Sequence, residues 1–505
     1  MTGNKTKRIQ TMLLLTALVL GMTGCGKVQG KTAEEVSKQN LALGVSVHDP
    51  SIVKADGEYY IFGSHMEAAE SKDLLSFHSF ASGVNERNPL FDNLFEEGED
   101  SAFSFVGDYV EGGYAVWAPD VIYNEEMGKW VMYFSTSHDY CTSSICMAVA
   151  DDIKGPYTYQ QVLISSGFTS MTVDKTNFYE IMGEDAKVTD YLSAAKYNNL
   201  NYPNCIDPTV FYDKEERMWM VYGSWSGGIW LLELDKKTGL PIHPEPKEET
   251  HTDRYFGQYL MGGLHNSCEG PYLFYDSNAD YYYLLVSYGS LTREGGYQIR
   301  AFRSREVTGP YLDAAGKTFD YATKHGEAGL KMMGNYMLPS LKTAYMAPGH
   351  CSALTDEDGK MYLVYHQRFD GGTEYHEPRV HQMFLNEEGW PVAAPFATGG
   401  ESLRAEGYLE EEIAGRWYLL NHELDISAEI HEAEEVVLKK GKVSGEKGSL
   451  GSYELSENTC YMTMTIQDVP YSGVLLDMQD EAGNAVRCFM GAGTDNKTVW
   501  AVMYL

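Results

Sequence analysis

The sequence predicts an all-β protein, with a five-bladed β-propeller followed by a small C-terminal β-barrel or sandwich domain. A short unit recurs five times: a polar or acidic residue beside a proline, a few apolar residues, a turn, and an aromatic-rich strand. No long segment shows helical periodicity. A repeat of this length, present five times, is typical of a propeller with one blade per unit. The copies span residues 48–64, 117–135, 205–224, 268–290 and 347–366.

The N-terminus predicts an export signal over residues 1–24. Lys5, Lys7 and Arg8 form a basic region, followed by an apolar run of 11 residues from Met12 to Met22. Such a run is too short for a mature membrane span but is typical of a signal peptide. The segment then reads Met-Thr-Gly-Cys25, which resembles a bacterial lipobox whose cysteine is lipidated. We expect residues 25–40 to form a lipidated tether that holds the protein on the extracellular face of the membrane.

The propeller is predicted over residues 41–398. Strand runs such as Glu58–Phe62 follow turn signals such as Asp56-Gly57. An insertion at residues 167–204, between the second and third copies, lacks the repeat pattern. Long insertions in a β-scaffold are either functional or ornamental. Because this insertion leads directly into Asn204, we expect it to form a rim of the binding cleft.

A separate β-domain is predicted over residues 399–505. The stretch 394–400 is loop-like in composition, and the repeat is absent beyond it. Residues 460–466 alternate between apolar and polar, which indicates a half-exposed strand. Residues 415–419 and 499–504 also have strand composition. These features favour a small barrel or sandwich.

Composition excludes several classes of protein. The formal net charge of −33 argues against nucleic-acid binding, because phosphate contacts need Lys and Arg. Eight cysteines include Cys25, and the remaining seven are an odd number, which excludes a complete disulfide framework. The absence of a C-x-x-C motif argues against a zinc ribbon. We interpret Cys205 and Cys268, each just before a candidate acid, as small packed residues.

The repeat is expected to bring three acidic residues together in the central channel. Because the first strands of a propeller line its central channel, Asp49, Asp207 and Glu269 are expected to meet there. Glycosidic bonds are cleaved by a pair of carboxyl groups. One is ionised and activates water, and the other is protonated and donates its proton to the leaving oxygen. A third carboxylate can raise the pKa of the acid. A single Asp-Pro is well explained as a turn, whereas three acids in matching copies favour catalysis. Asp120 follows its proline, out of register, and is interpreted as structural.

Several motifs carry a family resemblance. The segments 48–51, 117–120, 204–209 and 267–272 resemble glycoside hydrolase family 43. The segments 63–65, 222–228 and 349–351 are similar to its endo-α-1,5-L-arabinanase branch, which has a C-terminal β-domain. The resemblance implies a five-bladed propeller and an inverting mechanism. In that mechanism Asp49 matches the general base, Glu269 the general acid, and Asp207 the residue that raises the pKa of the acid and orients it.

The resemblance also implies ligands. It places His350 at the channel, where a calcium or similar ion would be held largely through waters. It implies that the substrate is arabinan, a plant cell-wall polysaccharide, with Trp117 as a stacking platform, although a core position explains Trp117 nearly as well. The candidate substrate contacts are Trp117, Asn204, Cys205, Ile206, Ser224, Trp225, Ser226, His265, Asn266, Ser267 and Cys268.

Alternative functions stay open at this point. Family 43 also contains arabinofuranosidases and xylosidases on the same blades. A retaining fructan-type hydrolase would use an Asp nucleophile and a closer pair of carboxyl groups. A glycan-binding lipoprotein without catalysis is a further alternative, against which the presence of all three acids counts. We expect internal cleavage of arabinan.

Overall fold

The computed structural model describes residues 29–505, so the predicted signal segment and Cys25 lie outside the described residues. The described strands form five propeller sheets and a closed barrel. The prediction of a five-bladed propeller with a C-terminal β-domain is therefore confirmed, and the C-terminal domain is a barrel. No helix among residues 29–505 combines the length and the apolar character needed to cross a membrane.

Blades 1 and 2 are four-stranded antiparallel sheets. A 3₁₀ helix over Ala33–Glu35 precedes them, and a second one, Ser64–Met66, joins the middle strands of blade 1. Blade 1 contains β1 (Ser51–Ala55), β2 (Glu58–Gly63), β3 (Glu67–Ser71) and β4 (Phe77–Ala81). Blade 2 contains β5 (Ala115–Asn124), β6 (Lys129–Ser137), β7 (Ser143–Ala150) and β8 (Thr158–Ser166).

The insertion and blade 3 follow. The insertion contains 3₁₀ helices at Val173–Lys175 and Val188–Tyr191, α1 (Phe178–Met182), and the short hairpin of β9 (Leu192–Ser193) and β10 (Lys196–Tyr197). Blade 3 contains β11 (Thr209–Tyr212), β12 (Met218–Tyr222), β13 (Ile229–Leu234), β14 (Pro241–Ile242), β15 (Thr252–Asp253) and β16 (Gly257–Met261).

Blades 4 and 5 complete the ring. Blade 4 contains β17 (Glu269–Asp276), β18 (Tyr281–Tyr288), β19 (Gln298–Ser304), a 3₁₀ helix at His325–Glu327, and β20 (Leu330–Met333). Blade 5 contains β21 (Tyr336–Met337), β22 (Tyr345–Thr355), β23 (Met361–Phe369), β24 (His376–Leu385) and β25 (Pro391–Ala397).

The C-terminal domain is a closed eight-stranded barrel. It is preceded by α2 (Glu410–Ile413). Its strands are β26 (Gly415–His422), β28 (Glu434–Lys439), β29 (Lys442–Gly445), β30 (Gly448–Leu455), β31 (Tyr461–Ile466), β32 (Val469–Gln479), β33 (Ala485–Gly493) and β34 (Thr498–Tyr504). Between β26 and β28, β27 (His431–Glu432) leaves the barrel and pairs with β21 of blade 5.

The innermost strands, one from each blade, form a closed ring. β1 contacts β5 and β22, β11 contacts β5 and β17, and β17 contacts β22. Between neighbouring blades, the aromatic and apolar strand residues form buried clusters. This burial explains the many aromatic strand residues, because each blade must cover its faces with its neighbours.

A left-handed residue stands before the proline in every copy of the repeat. The φ angles are 53° at Asp49, 42° at Ala118, 57° at Asp207, 55° at Gly270 and 49° at Ala347. In this register, Glu269 precedes the left-handed position instead of occupying it. The prediction that the three acids stand at matching points therefore holds for Asp49 and Asp207, while Glu269 is displaced by one residue. The displacement accompanies a register shift between Glu269 and Tyr272 in the pairing of β17 with β18.

The insertion is packed, not open. Phe168, Phe178 and Tyr191 are buried in one cluster with residues of blades 2 and 3. The Tyr255 hydroxyl of blade 3 donates to Asn177 Oδ1 at 2.7 Å. The segment therefore closes the gap between two blades before the chain enters Asn204. Whether it also borders the substrate stays a prediction.

The described part of the tether predicted for residues 25–40, residues 29–40, makes hydrogen bonds with the folded domains. The Lys31 N–H donates to the Tyr504 carbonyl at 2.9 Å, and the Arg416 N–H donates to the Gln29 carbonyl at 2.7 Å. The Asn40 side-chain amide donates to the Thr343 carbonyl beside blade 5. Residues 29–40 thus lie on the barrel and on blade 5, because their backbone groups find partners there.

We predict that Ser352 contributes to closure of the ring. Its buried hydroxyl donates to the Pro50 carbonyl at 2.7 Å and accepts from the Ile52 N–H at 3.1 Å, which joins blade 5 to blade 1. Ser352→Ala leaves both backbone groups without this partner, so the free energy of unfolding should fall by about 1–3 kcal/mol in urea denaturation.

The matched control is Ser135→Ala. Ser135 is also fully buried, but its hydroxyl has no hydrogen-bond partner among the described residues. This variant should be as stable as the parent or slightly more stable. Equal destabilisation by the two variants would contradict the role given to Ser352.

Candidate active site

Asp49 is surrounded by imidazoles. Its carboxylate is 11% exposed, and Oδ2 lies 2.8 Å from Nδ1 of His48. Oδ1 lies 3.1 Å from Nδ1 of His350 and 3.5 Å from Nδ1 of His366. The Ser64 hydroxyl donates to Oδ2 at 2.5 Å. Both carboxylate oxygens therefore have partners that stabilise the ionised form.

The charge state of Asp49 follows from these contacts. Burial alone would raise the pKa of Asp49, but the neighbouring His350, His48 and His366 hold it well below its ordinary value. The carboxylate is therefore ionised at neutral pH and is available to accept a proton, as a general base requires.

Glu269 has a different environment. Its Oε2 accepts hydrogen bonds from Trp225 Nε1 at 2.7 Å and from the Ser224 hydroxyl at 3.1 Å. Burial raises the pKa of Glu269 above its ordinary value, and the charge of Asp49 adds to this, although Tyr297, His350 and Ser224 act in the opposite direction. A carboxyl group with a raised pKa keeps its proton longer, which suits a general acid.

Asp207 is the third buried acid. The Gly270 N–H donates to its Oδ2 at 3.2 Å, so Asp207 is linked to the residue that follows Glu269. Burial first, and then the charges of Glu269 and Asp49, raise the pKa of Asp207 to about 7, while His350 opposes the rise. While Asp49 is ionised, like charges therefore disfavour ionisation of Asp207 and Glu269.

The structure brings the three predicted acids and His350 together. His350 contacts Asp49 directly, and its ring packs on Gly270, where a Cβ atom would lie 2.9 Å from His350 Cγ. Only glycine allows this approach at a residue with φ of 55°. Gly270 thus lets blade 5 place its imidazole against the acids of blades 1, 3 and 4.

The predicted substrate contacts separate into two groups. Trp117 is half-buried and meets Tyr109 edge-to-face, with ring centroids 5.2 Å apart. Trp225 and Asn266 are also half-buried, and His265 is exposed. These four predicted positions keep side-chain surface for a sugar chain.

The other predicted contacts are buried. Ser226 is fully buried, and its hydroxyl donates to Asn204 Oδ1 at 2.7 Å. Cys205 and Cys268 are likewise fully buried, each in an interblade cluster, and all seven cysteines of the described residues are free thiols. The burial of Cys205 and Cys268 agrees with their interpretation as small packed residues. Packing leaves no side-chain surface at Cys205, Ser226 or Cys268, and substrate contact at these positions stays a prediction. The remaining members of this group are Ile206, Ser224 and Ser267.

Asp120 has a structural environment. The Ser51 hydroxyl donates to its Oδ1 at 2.5 Å, and the Val210 N–H donates to its Oδ2 at 2.6 Å. Burial raises the pKa of Asp120 to about 6. One carboxyl group on blade 2 thus joins blades 1 and 3, which agrees with the structural interpretation of this residue.

Two histidines of the site were missed from the sequence. His48 adjoins Asp49 in the His-Asp-Pro-Ser motif, and His366 ends the fifth copy of the repeat. The other four copies end in serine, at positions 64, 135, 224 and 290. The histidine in place of serine at the end of the fifth copy is the sequence feature that could have identified His366 as a site residue. In the structure, His366 Nδ1 accepts a hydrogen bond from the Asp49 N–H at 3.4 Å.

A group of possible metal ligands among the described residues comprises His48, Asp49 and His366. The rings of His48 and His366 are stacked, with centroids 4.0 Å apart and an interplanar angle of 20°. A metal ion must lie in the plane of each imidazole that binds it, and two nearly parallel rings at this distance share no suitable point. This group therefore does not fit a metal ion.

The size of the cavity beside His350 bears on the calcium ion predicted there. The cavity bounded by Asp49, Asp120 and His350 has a volume of about 10 Å³, which is space for about one water molecule. Calcium takes about six to eight oxygen ligands. This cavity by itself is therefore too small for calcium with a full shell of ligands. The ion stays a prediction of the sequence.

Comparisons with known proteins agree with this geometry. Residues 39–185 and 183–391 match the family described as Glycosyl hydrolases family 43, and residues 395–501 match a C-terminal lipocalin-like domain. The chain belongs to glycosyl hydrolase family 43. The family predicted from the motifs is thereby confirmed, and this family 43 protein is a glycosidase.

The similarity to known relatives extends over nearly the whole of this family 43 chain. It is 35% identical to "Extracellular endo-alpha-(1->5)-L-arabinanase 2" of Bacillus subtilis, over 98% of this chain and 99% of the relative. It is 36% identical to "Extracellular endo-alpha-(1->5)-L-arabinanase" of Thermotoga petrophila, over 90% of this chain and 93% of the relative. The crystal structure of endo-1,5-alpha-L-arabinanase from Thermotoga petrophila RKU-1 superposes with a TM-score of 0.78 at 35% identity, covering 93% of this chain and 100% of that one.

We predict that His48 helps to keep Asp49 ionised. His48→Phe retains a ring that can stack on His366 but removes the nitrogen near Oδ2 of Asp49. The pKa of Asp49 should therefore rise toward its ordinary value. Because the base must be ionised, the acidic limb of the profile of kcat/KM against pH should move to higher pH.

The control is His78→Phe, at an exposed position on β4 of the same blade. Its pH profile should match that of the parent protein. An acidic limb that stays in place in His48→Phe would contradict the role of His48.

Proposed function

We propose that this protein is an extracellular endo-acting arabinanase that hydrolyses α-1,5-L-arabinofuranosidic bonds in arabinan. The observation that carries the proposal is the opposed charge preference of the buried acids. The pKa of Asp49 lies well below its ordinary value, whereas the pKa values of Glu269 and Asp207 are raised. The substrate is taken from the names of the relatives that match nearly the whole chain.

In the proposed reaction, Asp49 accepts a proton from a water molecule as the water oxygen attacks the anomeric carbon. Glu269 donates its proton to the glycosidic oxygen as the bond between that oxygen and the anomeric carbon breaks. The configuration at this carbon is inverted in a single displacement. Asp49 ends protonated and Glu269 ionised, so a proton passing through solvent restores the starting state.

The surroundings support this division of roles. The imidazoles of His48 and His350 favour the charged form of Asp49, which is the form that accepts a proton. Burial and the charge of Asp49 favour the neutral form of Glu269, which is the form that donates one. Asp207 adds a third carboxyl group, linked through the Gly270 N–H to the strand of Glu269. Exchanging the roles of Asp49 and Glu269 would oppose both preferences.

We expect Asp49→Ala and Glu269→Ala each to lower kcat/KM on debranched arabinan by about 10²–10⁴-fold, because each removes one of the two proton-transferring groups. Reducing-sugar release measures the loss, and circular dichroism should show that the fold persists. Glu357→Ala, at an exposed position on blade 5, serves as the control and should keep full activity.

The same preparations discriminate between the alternatives. Oligosaccharides released early from debranched arabinan indicate internal cleavage, whereas arabinose alone, or activity only on xylan or synthetic arabinofuranosides, favours the exo-acting alternatives. Proton NMR of the first-formed product should show the inverted anomer, and net retention would contradict the mechanism. Binding of arabinan without sugar release, unchanged by Glu269→Gln, would favour a glycan-binding protein.

We further propose that the chain is anchored outside the cell by lipid on Cys25. The proposal rests on the lipobox-like sequence before Cys25, and the relatives are named as extracellular. Cells grown with a labelled fatty acid should incorporate the label into the parent protein but not into Cys25→Ser. Cys141→Ser should still be labelled. A mature N-terminus at another residue, without label, would refute the anchor.

A further inference from the structure

Trp225 is hydrogen-bonded both to Glu269 and to the residue before it. The indole Nε1 of Trp225 donates to Oε2 of Glu269 at 2.7 Å. The backbone N–H of Trp225 donates to the Cys268 carbonyl at 2.9 Å. One residue in the connection between β12 and β13 of blade 3 thus holds two consecutive residues of blade 4. The indole and the Glu269 carboxyl group are therefore fixed relative to each other by the backbone as well as by the side chain.

The turn that carries Trp225 is closely packed. Trp225 has φ of 48°, a conformation that is unfavourable for a residue other than glycine and must be held by its surroundings. The Gly228 N–H closes the turn by donating to the Trp225 carbonyl at 2.9 Å. A Cβ atom at Gly227 would lie 2.5 Å from the Tyr202 carbonyl oxygen, and one at Gly228 would lie 2.3 Å from the Met261 carbonyl oxygen. Backbone on both sides leaves the turn little freedom, which is typical of a preorganised group.

The hydrogen bonds to Glu269 indicate which of its oxygens carries the proton. An indole N–H can only donate, so Oε2 must act as an acceptor toward Trp225. The Ser224 hydroxyl donates to the same oxygen at 3.1 Å. In a neutral carboxyl group, the oxygen without the proton is the better acceptor of the two. Glu269 therefore keeps both hydrogen bonds when its proton is on Oε1.

We infer that Trp225 is a positioning residue for the general acid. Its indole N–H occupies Oε2 of Glu269, holds the carboxyl plane, and leaves the proton for the departing sugar oxygen on Oε1. This inference rests on the proposed function, in which Glu269 is the general acid. Trp225 transfers no proton itself and acts through Glu269, so the loss of its N–H should affect the step that needs proton donation more than the others.

The test compares two leaving groups in Trp225→Phe, which keeps an aromatic ring but removes the indole N–H. An α-1,5-linked arabino-oligosaccharide has a sugar leaving group that must be protonated as it departs, whereas the 4-nitrophenyl glycoside of α-1,5-arabinotriose releases nitrophenolate without a proton. We expect kcat on the oligosaccharide to fall about tenfold, with kcat on the nitrophenyl glycoside and both KM values within about twofold of the parent protein. Glu269→Gln should show the same selectivity with a larger loss on the oligosaccharide.

Trp219→Phe is the matched control. Trp219 lies on β12 of the same blade and is buried, and its indole Nε1 donates to Oδ2 of Asp213 at 2.8 Å. This variant therefore loses the same kind of hydrogen bond, to a carboxyl group with no part in the proposed reaction. The ratio of the two rates should be unchanged. If Trp219→Phe showed the selective loss expected of Trp225→Phe, the inference would be overturned.

The kinetic constants also separate positioning from direct contact with the sugar chain. A higher KM on both substrates in Trp225→Phe would indicate that the indole binds the sugar chain. An equal fall in kcat on both would indicate packing alone. Either result would overturn the positioning role, as would the absence of any loss.

Two further outcomes are distinguishable. If the parent protein cleaves neither substrate, the proposed function itself fails. If Trp225→Phe does not fold, Ser224→Ala provides a second test, because it removes the other donor to Oε2 of Glu269 with a smaller change of side chain. Ser224→Ala should show a selective loss on the oligosaccharide, smaller than that of Glu269→Gln. An equal loss on both substrates would refute the assignment of the proton to Oε1.

Discussion

The propeller depends on a local constraint repeated in each blade: the residue before the proline adopts a left-handed conformation within the innermost strand or just before it. A residue other than glycine in this conformation costs about 1–3 kcal/mol, which the surrounding packing must offset. The turn directs Asp49 and Asp207 toward the channel instead of into the blade. At blade 4 the position is glycine, and this allows His350 to approach beside Glu269.

The chemistry of the site arises from differences among the blades. Blades 1, 3 and 4 supply acids, and the imidazoles of His48, His350 and His366 gather at only one of them, Asp49. Acids that share burial in one channel are thereby given opposite charge preferences. A symmetric arrangement of carboxyl groups and imidazoles would have no means of separating a base from an acid.

The barrel is connected to the propeller by more than a linker. β27 leaves the barrel to pair with β21 of blade 5, and the Thr498 hydroxyl of the barrel donates to the Lys331 carbonyl of blade 4. Ser427, in the segment before β27, lies against Gly296, next to Tyr297. The buried core of blades 4 and 5 continues into the barrel. The two domains therefore share a packed interface that extends to the back of the catalytic centre.

The sequence by itself determined the architecture, the three acids and His350, because a repeated local pattern specifies which residue of each blade enters the channel. It did not determine the register of Glu269, the burial of Ser226, or the imidazoles around Asp49. Those features depend on contacts between residues far apart in the chain: His366 is 317 positions from Asp49. Residues 29–40 likewise have the composition of a tether, and only the folded barrel and blade 5 supply partners for their backbone. Tertiary structure decided these points because pKa values and hydrogen-bond partners depend on distance in space, which a repeat pattern does not record.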